Sequence, residues 1–342
     1  MLEVAVTVAM TAWTASRYFL LFFLALKKNN ILLKKKYIYS EKCDYFCYKN
    51  NHSPITICSS ATMRVLNDIS TWITVCTLSL IYFLSTPSTE YVWWQKLVEF
   101  LRTKTDLSDR VIFVMVSQLI LEGAFFTIVI LIYILTKIGF LEKYRLQPIP
   151  SDPLRVKYEE KLNREAFIDV LIGHWLVRPL LFVFLYPYFE SRAGPLDAPI
   201  PSFRLVLPQI FACMIIDDTY FYWTHRLFHA VPYLYLKVHK QHHRFTRPNI
   251  LATEYAHPIE DIFVNGFGTI IGPLLLRVHP FLLIFYPAMK LYQSMEAHSG
   301  FNIPFPFSLS SVIDSLDCAP AHDFHHSHNV GNYGGWTMFW DW

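Results

Sequence analysis

Charged side chains are scarce in this chain: Asp, Glu, Lys and Arg make up 17% of its 342 residues, against about 25% in average soluble domains. The charges also nearly cancel, 30 basic against 27 acidic for a net +3, so composition makes no case for a nucleic-acid partner. The six cysteines are scattered and contain no Cys-x-x-Cys, which removes a disulfide framework and the usual thiolate zinc site. A Gly-rich phosphate loop, a His-Glu-x-x-His pair and a Gly-x-Ser-x-Gly elbow are all missing. With them go the ordinary signals of nucleotide binding, zinc proteolysis and serine hydrolysis. No internal repeat stands out.

Apolar residues fill the space instead, 53% of the chain with 17% aromatic and a mean hydropathy of +0.29. Such a chain reads as an all-α, polytopic membrane bundle. Apolar runs at 4–26, 67–86, 111–136, 166–188 and 203–223 each approach the ~20 residues that a bilayer core requires. The segments 27–66, 137–165 and 224–261 are rich in Lys and Arg, whereas 87–110 and 189–202 are poorer. Five crossings with the rich segments in the cytosol satisfy that bias and put the N-terminus outside. The stretch 262–296 has two short apolar arms parted by Arg277, His279 and Pro280, with Gly272-Pro273 interrupting the first. A shallow re-entrant hairpin fits it better than a crossing, with Arg277 and His279 as interfacial anchors.

Three regions follow: an anchor helix with an atypical basic segment (1–66), membrane helices (67–202) and a catalytic region (203–342). Residues 27–62, rich in Lys, Asn, Tyr and Ile and holding Cys43, Cys47 and Cys58, look like an insertion.

Twelve of the fourteen histidines lie at or beyond His225, most of them in His225-x-x-x-His229, His239-x-x-His242-His243 and His322-x-x-His325-His326. On a helix, positions i, i+3 and i+4 share a face, so each cluster is expected to aim its imidazoles at a common point. Eight or more imidazoles exceed what one zinc takes and suit two metals. Repeated Glu-x-x-His pairs of carboxylate-bridged bundles are missing. An all-nitrogen pair of sites suits two Fe ions, which leave positions open for dioxygen. The expected ligands are His225, His229, His239, His242, His243, His322, His325 and His326, with His298 ninth and His257 tenth. Asp217, Asp218, Glu254 and Asp323 are candidate acids for orienting the ring N–H groups. His328 is peripheral, and His174 with Arg178 reads as a polar helix contact.

Several phrases carry a resemblance. Asp217-Asp218-Thr219-Tyr220-Phe221-Tyr222-Trp223-Thr224-His225-Arg226, Glu254-Tyr255-Ala256-His257-Pro258, His298-Ser299-Gly300 and His322-Asp323-Phe324-His325-His326 with Gly331-Asn332-Tyr333 resemble the fatty acid hydroxylase and sterol desaturase superfamily of membrane di-iron enzymes. The similarity is strong over about 205–342 and is greatest to the C-4 methylsterol monooxygenase branch. Cholesterol 25-hydroxylases form the alternative branch, on the His-Ser-Gly phrase, His279-Pro280 and His325-His326-Ser327-His328. The resemblance implies an endoplasmic reticulum enzyme, its site cytosolic, that hydroxylates a sterol with O2 and electrons from cytochrome b5 or a similar donor. No His-Pro-Gly-Gly phrase marks a fused cytochrome, so the donor is a separate partner. Relatives also run on beyond the equivalent of Trp342, which implies a further tail. A histidine-rich metal transporter and an inactive sterol-binding relative are the non-enzyme alternatives. A transporter would place its ligands near the membrane midplane, whereas these clusters lie beyond the fifth span among basic residues.

Overall fold

A computed structural model describes residues 92–304, 308 and 318–341. The expected spans at 4–26 and 67–86, and the atypical segment 27–62, lie outside the described residues. Within them the architecture is helical: α1 (Trp93–Thr105), α2 (Asp109–Lys137), α3 (Pro153–Ile172), α4 (Arg178–Ala193), α5 (Phe203–Ala230), α6 (Pro232–Lys237), α7 (Pro258–Glu260), α8 (Phe267–Leu275), α9 (Pro280–Ala297) and α10 (Cys318–His328). Among the described residues the extended pairing is a single antiparallel bridge, Arg145 with Phe301.

Three helical runs are long and apolar enough to cross a membrane: Asp109–Lys137, Pro153–Ala193 and Phe203–Ala230. They contain the expected spans at 111–136, 166–188 and 203–223 and extend them. Pro153–Ala193 begins inside the basic segment expected as loop. Asp152 caps it by accepting from the Leu154 N–H, and Pro153 sits in the first turn, where a missing N–H costs nothing. A wide π turn at Gly173–Val177 joins α3 to α4, and Gly194, at φ 86°, ends the run.

The stretch 262–296 is two helical arms. A second π turn, Asp261–Gly266, leads from α7 into α8; the chain reverses through Arg277, at φ 49°, and returns as α9. His279 lies in this joint as an N-cap, its Nδ1 accepting from the Phe281 N–H at 3.1 Å while its Nε2 donates to the Ala198 carbonyl at 2.9 Å. The first arm packs on α5 so closely that a Cβ at Gly272 would lie 3.0 Å from the Cys213 Cα. Helix α9 packs against α2 and buries Leu282, Leu283, Ile284, Tyr286, Leu291 and Met295. It therefore reads as a core helix, and the core runs along it to His298 at its C-terminal end.

Candidate metal centre

The described structure delivers histidines from four places. His225 and His229, one turn apart, lie in the last two turns of α5 itself rather than in a loop after it. Pro232 starts the short α6, after which a 3₁₀ segment, His239–Arg244, presents His239, His242 and His243. His298 stands at the C-cap of α9. Helix α10 carries His322, His325 and His326.

They assemble into two groups. His225, His229, His239, His243 and His325 offer ring nitrogens that all lie within 4.8 Å of one another, and so do His242, His298, His322 and His326. The expectation that each sequence cluster shares one target is corrected here. Two of the three clusters divide between the groups, His242 parting from His239 and His243, and His325 from His322 and His326. On α10 the reason is angular: at 100° per residue His326 returns to within about 40° of His322, while His325 lies about 60° to the other side.

The remaining ring nitrogens fix the tautomers. The Nδ1 of His225 meets the Tyr333 carbonyl at 3.1 Å, His242 that of Tyr255 at 3.3 Å, and His298 that of Ser294 at 2.8 Å. His325 reaches Gly331 at 2.7 Å and His326 reaches Phe245 at 2.9 Å. A carbonyl only accepts, so each of these Nδ1 atoms donates, and each Nε2 of a neutral ring is left as a lone pair. The Nε2 atoms nevertheless crowd together. His242 and His298 approach to 3.3 Å with no proton to share, and the His225 Nε2 is buried without a partner. A cation among the lone pairs removes the conflict. With metal–nitrogen bonds of about 2.1 Å, neighbouring ligand nitrogens stand roughly 3.0–3.4 Å apart. The spacings within the groups run from 2.8 Å for His322 with His298 to 3.3 Å for His242 with His298, within that range or just below it. The donor set fits metals that favour imidazole.

Electrostatics agrees. Burial pushes His239 down to about 3 and His242 to about 4. Burial first, then neighbouring rings, holds His322 and His326 well below the ordinary histidine range. The rings are thus neutral and ready to ligate near pH 7.

Several expected residues lie elsewhere. His257 stays out of both groups: its Nδ1 accepts from the Ile259 N–H and caps α7. His328 is exposed and bonded to the Phe324 carbonyl. None of the four candidate acids meets a ring of the two groups. Asp217 accepts from Tyr286 Oη at 3.0 Å and Trp336 Nε1 at 2.7 Å. Asp218 accepts from the backbone N–H groups of Gly335, Trp336 and Thr337 and from Thr337 Oγ1, at 2.6–3.2 Å. Both fasten the C-terminal segment to α5, and that segment supplies the Gly331 and Tyr333 carbonyls. Glu254 lies beside His174 and Arg178, and Asp323 accepts from Gln147. The acid that does orient a ring is Glu260, at 2.7 Å from the His239 Nδ1. Burial raises its carboxyl to about 7. Its sequence signal was an acid in the first turn after Pro258, overshadowed by the preceding Glu254-to-Pro258 phrase.

Comparison with known proteins agrees with this geometry. The fatty acid hydroxylase family profile matches residues 210–342, which contain all nine grouped histidines. A methylsterol monooxygenase 2-2 of Arabidopsis thaliana is 34% identical over 252 residues, 73% of this chain and 88% of the relative. Methylsterol monooxygenase 2-1 of the same plant is 31% identical, over 70% and 89%. A very-long-chain aldehyde decarbonylase of Oryza sativa is 30% identical, over 66% and 82%. No solved structure matches. With two converging sets of imidazoles in the region that the profile covers, and relatives aligned along most of their length, this chain belongs to the fatty acid hydroxylase family.

Proposed function

We propose that this chain is a membrane di-iron oxygenase that hydroxylates a sterol, oxidising the C-4 methyl group of a methylsterol in steps through alcohol and aldehyde to carboxylate. The observation that carries the reading is the division of nine histidines into groups of five and four. Six-coordinate iron suits both groups and leaves positions open, whereas zinc is saturated by four ligands. Iron supplies the power to break an unactivated C–H bond with dioxygen, which no side chain has. Each hydroxylation takes one O2, two electrons and two protons, puts one oxygen atom into the C–H bond and releases the other as water. The chain's own part is to hold and exclude. Carbonyls of Tyr255, Ser294, Phe245, Gly331 and Tyr333 keep five Nε2 lone pairs turned inward. Glu260 increases the donor strength of His239. His325 and His326 are wholly buried, so water is kept from that side of the centre.

The names of the Arabidopsis relatives support a sterol, and the rice relative supports a long-chain aldehyde as the second reading. The basic segments support five crossings of the endoplasmic reticulum membrane with the histidines in the cytosol, where cytochrome b5 or a similar donor reaches them. Tags in 137–165 and 244–256 are then open to protease in intact microsomes, and one in 189–202 is protected.

The deciding experiment is the sterol profile of cells lacking the protein, joined to metal analysis of the purified chain. Accumulated 4-methylated sterols and about two irons per chain are expected. Loss of side-chain-hydroxylated sterols instead would move the assignment to the 25-hydroxylase type. Full activity with zinc would end the di-iron reading, and turnover of a long-chain aldehyde with unchanged sterols would transfer the protein to the other branch.

A further inference from the structure

A second polar cluster lies at the junction of α3 and α4, sharing no residue with the histidine groups. His174 Nδ1 is 3.0 Å from Glu122 Oε2 and its Nε2 is 3.3 Å from Glu254 Oε2. Arg178 bridges the same two carboxylates, at 3.2 and 3.4 Å. The cluster forms at the π turn Gly173–Val177, an irregularity common at functional sites. Taking ionisable groups out of water costs about as much as their attraction returns, so such a cluster adds little net stability. What it supplies is register, because only one arrangement satisfies every member.

Three of the four members sit on the long apolar helical runs. The fourth, Glu254, ends the 3₁₀ segment Ile250–Glu254, so the cluster ties that segment to α2, α3 and α4. The same stretch is fastened along one face of α3. Arg155 donates to Thr246 Oγ1, Glu159 accepts from Arg247, and Asn163 Oδ1 accepts from Asn249 at 2.9 Å. These three helix residues are spaced by four and therefore aligned. Leu162 and Ala166 pack against Phe245, Ala252 and Tyr255. Tyr255 Oη accepts from Arg244 and donates to Glu165 Oε2 at 3.2 Å.

The fastened stretch carries two carbonyls that hold rings of the group of four, Phe245 for His326 and Tyr255 for His242. We propose that Glu254, held by His174 and Arg178, is a positioning residue for the group of four: it fixes the register of Tyr255, whose carbonyl keeps the His242 Nε2 turned inward. At 3.3 Å the Tyr255 contact is the longest of the five carbonyl contacts to the rings, so a small rotation of this peptide breaks it first. The group of five takes its carbonyls from Gly331 and Tyr333 and does not depend on this support. The metal reading above is needed for what His242 binds, not for how it is placed.

The test uses the full chain in phosphatidylcholine nanodiscs and two measurements. One is ferrous iron retained against a graded chelator in the absence of oxygen. The other is exchange of each imidazole C2–H in D2O, read by tandem mass spectrometry on the metal-free chain. Glu254→Ala should release about one iron at about 10–100-fold lower chelator and speed exchange at His242 severalfold. The other iron, and exchange at His225 and His229, should stay as in the wild type. Tyr255→Phe frees the other end of the same residue from Arg244 and Glu165; it should move His242 in the same direction even if Glu254→Ala folds poorly. Unchanged exchange at His242 in both variants, or equal acceleration at His225 and His229, overturns the proposal. A wild-type chain that retains no iron, with His242 exchange still following Glu254, overturns the metal reading and leaves the positioning role. Both irons held at wild-type affinity in Glu254→Ala, with unchanged exchange, overturns the positioning role and leaves the metal reading.

Discussion

Replacing Asp218 by Ala should empty one group of histidines and spare the other. Asp218 touches no ligand, but it accepts four hydrogen bonds from Gly335, Trp336 and Thr337. Hydrogen bonds to a charged acceptor contribute about 1.5–3 kcal/mol each, and four on one carboxylate are less than additive, so the set holds the segment by on the order of 5 kcal/mol. That segment supplies the Tyr333 and Gly331 carbonyls, which orient His225 and His325, both in the group of five. The group of four takes its carbonyls from Tyr255, Ser294 and Phe245, on other parts of the chain. Loss of such outer support typically costs 10–100-fold in metal affinity. Elemental analysis during dialysis against a graded chelator should therefore show about one metal leaving Asp218→Ala at 10–100-fold lower chelator, with the other retained. Limited proteolysis should cut within 331–341 in the variant alone. Equal loss of both metals, or wild-type affinity together with a newly cleavable segment, would refute the division of labour argued here.

Glu260→Gln keeps the shape of the side chain and removes its charge, so it should weaken metal at the group of five 10–100-fold by the same titration while His242 and its partners hold theirs. In metal-free protein, His239 and His242 titrate near 3 and 4 when folded but near 6.5 when unfolded. The unfolded state binds more protons between those values, so stability should be highest above pH 6.5 and fall as pH drops towards 4. Glu260, raised to about 7, acts in the opposite direction over its own window but is outnumbered by the rings; thermal melts across pH 4–8 check the sign. Gly272→Ala should lower stability by about 1–3 kcal/mol, read as a reduced melting temperature, because its Cβ would meet Cys213 backbone at 3.0 Å.

The helical class, three of the long apolar helices and the two arms of 262–296 were legible because apolar runs and prolines act locally. The histidine clusters were legible as candidate ligands for the same reason. Their partition was not: which group His242 or His325 joins depends on how a 3₁₀ turn and α10 meet in space, and spacing carries no such information. The partners of the acids were hidden on similar grounds. Asp217 and Asp218 precede His225 by about two turns and look like its support, yet they reach it only through the C-terminal segment, more than a hundred residues away. Glu260 required knowing that α7 docks beside the 3₁₀ turn.

Helix α5 is long and apolar enough to cross a membrane, and it also carries two of the grouped histidines. Its 28 residues span about 42 Å, some 12 Å more than the hydrocarbon core, and His225 and His229 lie in the final six. No break in the helix separates them from its apolar turns. Were this helix to cross a bilayer, the height of these two rings over it would follow how far the helix tilts to match the local thickness. On the function proposed above, the spacing of the group of five would then respond to membrane thickness, and so to the lipid whose composition the enzyme itself changes.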